Sequence, residues 1–148
     1  MDPFAIASWI PNPNTNIDSI IITLANREPS KEDVEGVIQA ICNIFELRVT
    51  FTLYVNAYSV PRIHNILWIV KRIASFITEY RPQFLQYVVG SAILISNDTL
   101  VTILTLAFKI KKPASTNIIT SEEDDIHAFL SKCVATRLFH TPPYSGEV

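Results

Sequence analysis

The sequence predicts a single α/β domain, a small, mostly parallel sheet of four to five strands with four helices. Two observations support this class. Short runs rich in β-branched residues alternate along the chain with longer stretches whose apolar residues recur every three or four positions. In addition, the 148 residues are 49% apolar, enough for one sizeable core. The element order is β-α-β-α-β-α-β-α, which is typical of parallel strands joined by crossover helices.

The predicted domain spans residues 17–138. It lies between an N-terminal arm of residues 1–16 and a Pro-rich C-terminal tail of residues 139–148. Within the arm, residues 4–9 can form a short edge strand, and their aromatic side chains can dock on the domain or on a partner. Residues 17–25 are rich in isoleucine and form the first strand of the domain.

The first helix is predicted by Ser30 and Asp33, which resemble a capping box with Asp in place of the usual Glu. In such a box, each side chain accepts a hydrogen bond from the backbone of the other residue. Residues 48–58 then alternate between apolar and polar side chains. A period of two predicts the second strand.

A long amphipathic helix follows this strand, and we expect it to begin at Pro61. Proline suits the first helical position, which places Ser59 or Val60 at or just before the N-cap. The helix is expected to end near Tyr80, because Pro82 disfavours a helical conformation at the residue before it.

This helix is apolar on more than one side. Trp68, Ile69 and Phe76 lie off its main apolar stripe, which predicts a second surface for a partner. Together with Arg72, these residues form the predicted partner-binding surface.

The second half of the chain continues the alternation. Residues 90–95 predict the third strand, residues 98–110 a capped helix and residues 114–120 a short fourth strand. The last helix begins with an acidic run at residues 121–124, where negative charge is favourable. Residues 84–108 are apolar enough to suggest a membrane span, but interruptions within the run favour a buried strand followed by a helix.

Composition argues against several functions. A net charge of −2 gives no basic surface for nucleic acid, and three glycines cannot build a phosphate-binding loop. The histidines His64, His127 and His140 accompany no recognisable nucleophile and acid, so no catalytic residue is predicted and we expect a protein that is not an enzyme. No cofactor or metal is predicted either.

The two cysteines, Cys42 and Cys133, fall inside predicted helices without metal-binding spacing. We expect free thiols in a reducing compartment. The start of the chain lacks the basic segment of a signal peptide, so an intracellular, cytoplasmic location is expected.

The chain resembles STAS-like domains, which are related to bacterial anti-sigma-factor antagonists. The resemblance is carried by the strand RVTFTLYVNAYSV, the helix end Glu-Tyr-Arg-Pro at 79–82, the strand VVGSAILI at 88–95, Lys-Pro at 112–113 and the acidic start of the last helix at 121–130. It implies the STAS-like fold and a role in binding other proteins.

In members of this group that are phosphorylated, a serine lies at the turn from strand to helix, commonly after an aspartate. Ser59 occupies the comparable turn, while Asn56 stands where the acidic residue is expected. The resemblance therefore implies Ser59 as a site of regulatory phosphorylation. A phosphate at a helix N-terminus would be favourably placed.

A second resemblance is to CRAL-TRIO lipid-transfer domains, which share a similar series of strand, long helix, turn, strand and helix. It is carried by Tyr-Arg-Pro-Gln-Phe at 80–84 and by the high apolar content. This resemblance implies an internal apolar cavity on the order of a few hundred Å³.

Two functions are therefore expected. The first is a non-catalytic protein-interaction or assembly module, a subunit of a larger complex whose partners are other proteins or further copies of the chain. The alternative is a carrier of a lipid or other hydrophobic ligand, with contact to lipid or membrane.

Overall fold

The computed structural model describes residues 3–98, 101–102, 104–105 and 116–140. In these ranges the chain forms a five-stranded sheet in which the strands lie side by side in sequence order. The elements are β1 (Ala5–Ile10), β2 (Asp18–Leu24), α1 (Lys31–Glu46), β3 (Phe51–Asn56), α2 (Ile66–Glu79), α3 (Arg81–Tyr87), β4 (Val88–Leu94), β5 (Asn117–Thr120) and α4 (Glu123–His140). Residues 98, 101–102 and 104–105 are also helical.

The sheet confirms the predicted architecture. Strands β2 to β5 pair in parallel, and only β1 runs antiparallel to its neighbour within the sheet described. The edge strand expected at residues 4–9, within the N-terminal arm of residues 1–16, is confirmed: residues 5–10 pair with β2 along their whole length, so this part of the arm belongs to the sheet. These residues form an edge strand of the domain.

Helices cover both faces of the sheet. On the front face, Ile20 and Leu53 pack beneath α1 and α2 in the largest buried cluster. On the back face, Tyr54 and Ala92 pack against Ile126 of α4. Neighbouring residues of β3 thus point to opposite faces, as the period-two alternation of residues 48–58 predicts.

The capping box at the start of α1 is confirmed. The hydroxyl of Ser30 accepts a hydrogen bond from the Asp33 N–H at 3.0 Å, and the Asp33 carboxylate accepts one from the Ser30 N–H at 2.9 Å. The helix ends where Arg48 adopts a left-handed backbone conformation with φ of 56°. Its N–H bonds to the carbonyl of Phe45, which satisfies one of the last carbonyls of the helix.

The predicted start of α2 at Pro61 is wrong. The helix begins at Ile66, with Asn65 as an N-cap that makes no side-chain hydrogen bond to the helix. The preceding segment is held by tertiary contacts instead, because Val60 is buried and Ile63 packs with Leu104 and its neighbours. Burial of these side chains overrides the local helix signal.

The end of α2 agrees with the prediction, since the helix stops at Glu79 with Tyr80 as its C-cap. The short helix α3 follows at once, with Pro82 in its first turn. Further along, α4 extends to residue 140, so the predicted domain boundary at residue 138 falls inside a helix. Residues 141–148 of the predicted tail, and much of the predicted helix at 98–110, lie outside the described residues.

Aromatic rings fill the front of the sheet at the amino ends of β3 and β4. The ring of Phe84 lies edge-on to Phe45 and Phe76, with centroids 5.2 and 5.5 Å away. Tyr80 and Phe51 join the same cluster through Phe45. This end of the core is densely packed, whereas the opposite end is lined by aliphatic side chains.

Candidate functional site

An apolar cavity of about 200 Å³ lies on the front face of the sheet. It lies between the carboxyl ends of β2, β3 and β4 below and α1 and α2 above, and it is partly open to solvent. Its lining consists of Phe4, Leu24, Pro29, Leu53, Val55, Ala57, Val60, Ile63, Ser91, Ala92, Ile93, Ile95 and Leu104, with Val34, Val37, Ile38 and Ile41 from α1, Ile66, Ile69, Ile73, Phe76 and Ile77 from α2, and Phe84 from α3. Ligands of open α/β sheets usually bind at this end of the strands.

The lining is almost purely aliphatic. Ser91 is the one polar side chain among the described residues that line the cavity. It faces the cavity because it lies opposite Leu53 in the register of β3 and β4. Ser91 and Ile93 are only half-buried although β4 is an interior strand of the sheet.

The volume of the cavity is large enough for a small apolar ligand. Protein interiors are close-packed, and an engineered apolar cavity of about 150 Å³ can hold a benzene molecule. A ligand in this cavity would withdraw its apolar surface from water.

A contact between a histidine and a carboxylate lies beside the cavity. Nδ1 of His64 lies 2.7 Å from a carboxylate oxygen of Glu28, and the neighbours of this pair, Ile63 and Pro29, line the cavity. The pair joins the segment before α2 to the segment before α1. It places a polar rim next to an apolar interior.

An ion pair belongs to the start of α1, where Arg27 lies 3.0 Å from Asp33. The guanidinium of Arg27 also stands 5.1 Å from the ring centroid of Phe4, a buried lining residue. Burial acts to raise the pKa of Asp33, but hydrogen bonds from Ser30 and Arg27 outweigh it and lower the pKa overall. The carboxylate is thus held in its charged form.

Ser59 lies in an exposed turn, but its predicted position at a helix N-terminus is wrong. Because α2 begins at Ile66, the free N–H groups of that helix are separated from Ser59 by an extended segment. The side chain of Asn56 accepts a hydrogen bond from the Tyr58 N–H at 3.1 Å, which stabilises the turn. Ser59 is therefore accessible, without the favourable helix terminus.

The predicted partner-binding surface is also corrected. Ile69 and Phe76 are buried, with 6% and 3% of their surface exposed, and both line the cavity. The apolar surplus of α2 therefore points inward. Trp68 is half-buried beneath Lys31, whose Nζ lies 5.1 Å from the ring centroid.

Arg72, the fourth residue of that surface, ties α2 to α1. Its guanidinium donates two hydrogen bonds to Glu35, at 2.6 and 3.0 Å. The hydrogen bond from Arg72 lowers the pKa of Glu35, and the same bond raises the pKa of Arg72. The pair fixes the two helices that form the roof of the cavity.

The back face carries a separate polar contact. The hydroxyl of Tyr54 lies 3.1 Å from a carboxylate oxygen of Glu123 and joins β3 to α4. Burial, and then the hydrogen bond to Glu123, raise the pKa of Tyr54 to about 12. His127 packs edge-on against the Tyr54 ring, and its Nε2 is 3.9 Å from Glu123 rather than beside the neighbouring aspartates.

In the part of the chain that the structure describes, no cluster of His, Cys, Asp or Glu side chains is arranged to hold a metal ion. No helix within that part combines the length and apolarity needed to cross a bilayer. Cys42 and Cys133 are free thiols, and burial raises the pKa of Cys133.

Comparison with known proteins identifies the fold. No protein-family model and no curated protein matches the sequence. A solved structure that does match is an uncharacterized protein of the DUF3478 family from Shewanella loihica PV-4, described as having a SpoIIAA-like fold. The two chains are 7% identical, with a TM-score of 0.56 over 85% of this chain and 93% of that chain. The SpoIIAA-like fold is that of the anti-sigma-factor antagonists, so the predicted STAS-like fold is confirmed.

The sequence predicts two residues of this site, Ile69 and Phe76, but as part of a partner-binding surface. Ser91 and the rim pair of Glu28 and His64 were not identified as site residues, since they are far apart in the sequence and meet only in the fold. The sequence feature that could indicate a cavity is the number of aliphatic residues, which is larger than a small closed core needs.

Proposed function

We propose that this chain is a non-catalytic binding protein that holds one hydrocarbon chain, the acyl or alkyl part of an amphiphile, in the cavity on the front face. The observation that carries this proposal is the aliphatic cavity of about 200 Å³ at the carboxyl ends of β2 to β4. The confirmed fold does not by itself select a ligand.

The extent of the cavity across the sheet suits a short hydrocarbon chain. Its lining includes Leu24 on β2, Val55 on β3 and Ile93 on β4, three adjacent strands. Neighbouring strands lie about 4.8 Å apart, so the lining spans roughly 10 Å across the sheet. A short alkyl chain can lie along this direction.

The polar end of such a ligand fits the rim. The pair of Glu28 and His64 stands next to the lining residues Pro29 and Ile63, where a charged or hydroxyl head group would remain in water. The histidines support a binding role over catalysis, because His64 and His127 both face carboxylates rather than a serine or cysteine nucleophile.

The test is a titration of protein with isotope-labelled isoleucine methyl groups, using octanoate as the probe and butanoate as the short control. Octanoate should shift the methyl resonances of Ile66, Ile73 and Ile93, which line the cavity, while Ile21 on the back face should stay unchanged. Butanoate should bind more weakly, because each methylene withdrawn from water contributes about 0.8 kcal/mol.

A matched pair of variants sharpens this titration. Ser91→Leu fills the cavity and should weaken octanoate binding by about tenfold or more, which corresponds to ~1.4 kcal/mol. Ser131→Leu makes the same substitution at an exposed position of α4, outside the lining of the cavity, and should leave octanoate binding unchanged. The proposal fails if octanoate shifts no cavity methyl, or if Ser91→Leu binds octanoate as the wild type does.

A second candidate function is a protein-interaction module, favoured by the exposed apolar side chains of Tyr58 and Leu67. Tyr58 is 52% exposed and Leu67 is 74% exposed, and phosphorylation of the accessible Ser59 would add negative charge next to Tyr58 in the chain. A pull-down with Leu67→Glu as the variant and Leu138→Glu as the control tests it. A partner that is lost with both variants, or with neither, speaks against this surface.

A further inference from the structure

The edge strand β1 lacks the features that usually keep strand edges apart. Proteins protect such edges with charges, prolines or bulges. Residues 3–17 contain no charged side chain, and β1 itself contains no proline. It exposes Ile6, Trp9 and Ile10, at 60%, 46% and 52% of their surface. We propose that β1 pairs antiparallel with β1 of a second copy, which joins the two five-stranded sheets into one.

The backbone of β1 offers the groups that this pairing needs. The carbonyl of Phe4 accepts a hydrogen bond from the Ala25 N–H at 2.7 Å, so the backbone groups of Phe4 face β2. Alternation along the strand then directs the N–H and C=O groups of Ala5, Ala7 and Trp9 to the open edge. These groups are available to a second strand.

The side chains select one register. Across a two-fold axis perpendicular to the sheet, opposite residues lie on the same face of the sheet. An even-numbered residue of one β1 must therefore lie opposite an even-numbered residue of the other, and an odd-numbered residue opposite an odd-numbered one. An axis at Ser8 places Ile6 of one copy opposite Ile10 of the other, and Ala7 opposite Trp9. Because of the two-fold symmetry, the aliphatic Ile6–Ile10 pair and the pair of large Trp9 with small Ala7 each occur twice in the interface. With the axis at Ala7 instead, Ile6 would face Ser8 and the aliphatic pair would be lost.

The same register also allows backbone hydrogen bonds between the two strands and brings no charged residues of β1 together. Ala7 and Trp9, whose polar groups face outward, become directly opposite each other and can exchange hydrogen bonds. The Trp9 indole N–H is already fixed by Asp18 at 2.8 Å, so the largest side chain of the interface is positioned in advance. Since β1 carries no charge, the two-fold axis brings no like charges together.

Two six-residue strands bury less area than the ~1,600 Å² of a standard interface. We therefore expect a reversible dimer whose population rises with concentration in analytical ultracentrifugation. The inference does not depend on the ligand, since the cavity lies between the sheet and α1 and α2.

Disulfide trapping tests the register. Opposite residues of a pair that lacks backbone hydrogen bonds have Cα atoms about 4.5 Å apart, within the range that a disulfide spans. Ser8→Cys should form a covalent dimer under mild oxidation. Ala7→Cys should not, because its two copies would be diagonal neighbours about 7–8 Å apart. Wild-type protein, with Cys42 and Cys133, sets the background.

Ala7→Pro tests the pairing itself. It removes an N–H that faces the open edge rather than β2, a position where strands tolerate proline. This variant should stay monomeric with an unchanged circular dichroism spectrum. The proposal is overturned if wild-type protein is monomeric at every concentration, if Ala7→Cys cross-links as readily as Ser8→Cys, or if folded Ala7→Pro dimerises like the wild type.

Discussion

Nδ1 of His64 lies 2.7 Å from a carboxylate oxygen of Glu28, and this contact joins the segments that precede α2 and α1 beside the cavity. The imidazole is 63% exposed, so the pair contributes about 1 kcal/mol or less to stability. Its position beside Pro29 and Ile63, which line the cavity, suggests an effect on ligand exchange rather than on folding.

We expect His64→Ala to speed ligand dissociation by up to about fivefold, the factor that corresponds to ~1 kcal/mol. Stopped-flow displacement of a fluorescent fatty acid measures this rate. His127→Ala, on the back face, is the control and should leave the rate unchanged. Equal rates for wild type and His64→Ala would show that this contact does not limit ligand exit.

Gly90 is required by close packing between β4 and α4. A Cβ at this position would lie 2.7 Å from Sγ and 3.0 Å from Cβ of Cys133. We expect Gly90→Ala to lower the free energy of unfolding by about 1–3 kcal/mol through overpacking. Urea denaturation measures the loss, and Cys133→Ala in the same chain should restore part of it because the sulfur atom is gone.

Gly36 provides the matched control for this substitution. It lies in α1 with no other atom within 4 Å of a built Cβ. Gly36→Ala should therefore stabilise the protein by about 0.5–1 kcal/mol, because alanine is the better helix former. If both glycine variants changed stability in the same direction, the packing argument for Gly90 would be wrong.

The capping box predicts an acid-sensitive stability. The pKa of Asp33 is lowered in the folded protein, so its charged form stabilises the fold at pH values above its ordinary value of about 4. This contribution is lost as the pH falls through the lowered pKa. Asp33→Ala should cost about 1–2 kcal/mol at pH 7, where the cap and the pair with Arg27 are both complete.

Urea denaturation at a series of pH values measures this contribution. The difference between wild type and Asp33→Ala should shrink from pH 5 towards about pH 2, as wild-type Asp33 takes up a proton. Asp33→Asn keeps an acceptor for the Ser30 N–H and should fall between the two. A difference that stays constant over this range would contradict the assignment of the charge to the cap.

The fold was largely accessible from local sequence signals. The alternation of residues 48–58, the capping box at Ser30 and the isoleucine-rich run of β2 each depend on near neighbours, and each is confirmed. The start of α2 was not accessible in this way. A proline after a serine favours a helix start locally, but burial of Val60 and Ile63 holds that segment out of the helix.

The candidate site was harder to predict for a physical reason. Periodicity shows which side chains point towards a core, but not whether the helices approach closely enough to fill it. Ile69 and Phe76 face inward with the rest of α2, and the Arg72–Glu35 pair ties α2 to α1 above the sheet. The cavity is a property of this spacing, which no single segment encodes.

Native mass spectrometry of freshly purified protein tests the central claim most directly. Wild-type protein should carry one ligand per chain, either retained from the cell or added as octanoate, whereas Ser91→Leu should show a much smaller ligand-bound fraction at the same octanoate concentration. A wild-type chain that shows its bare mass before and after octanoate is added, or a Ser91→Leu chain that carries the same adduct, would contradict the account of the cavity as a ligand site.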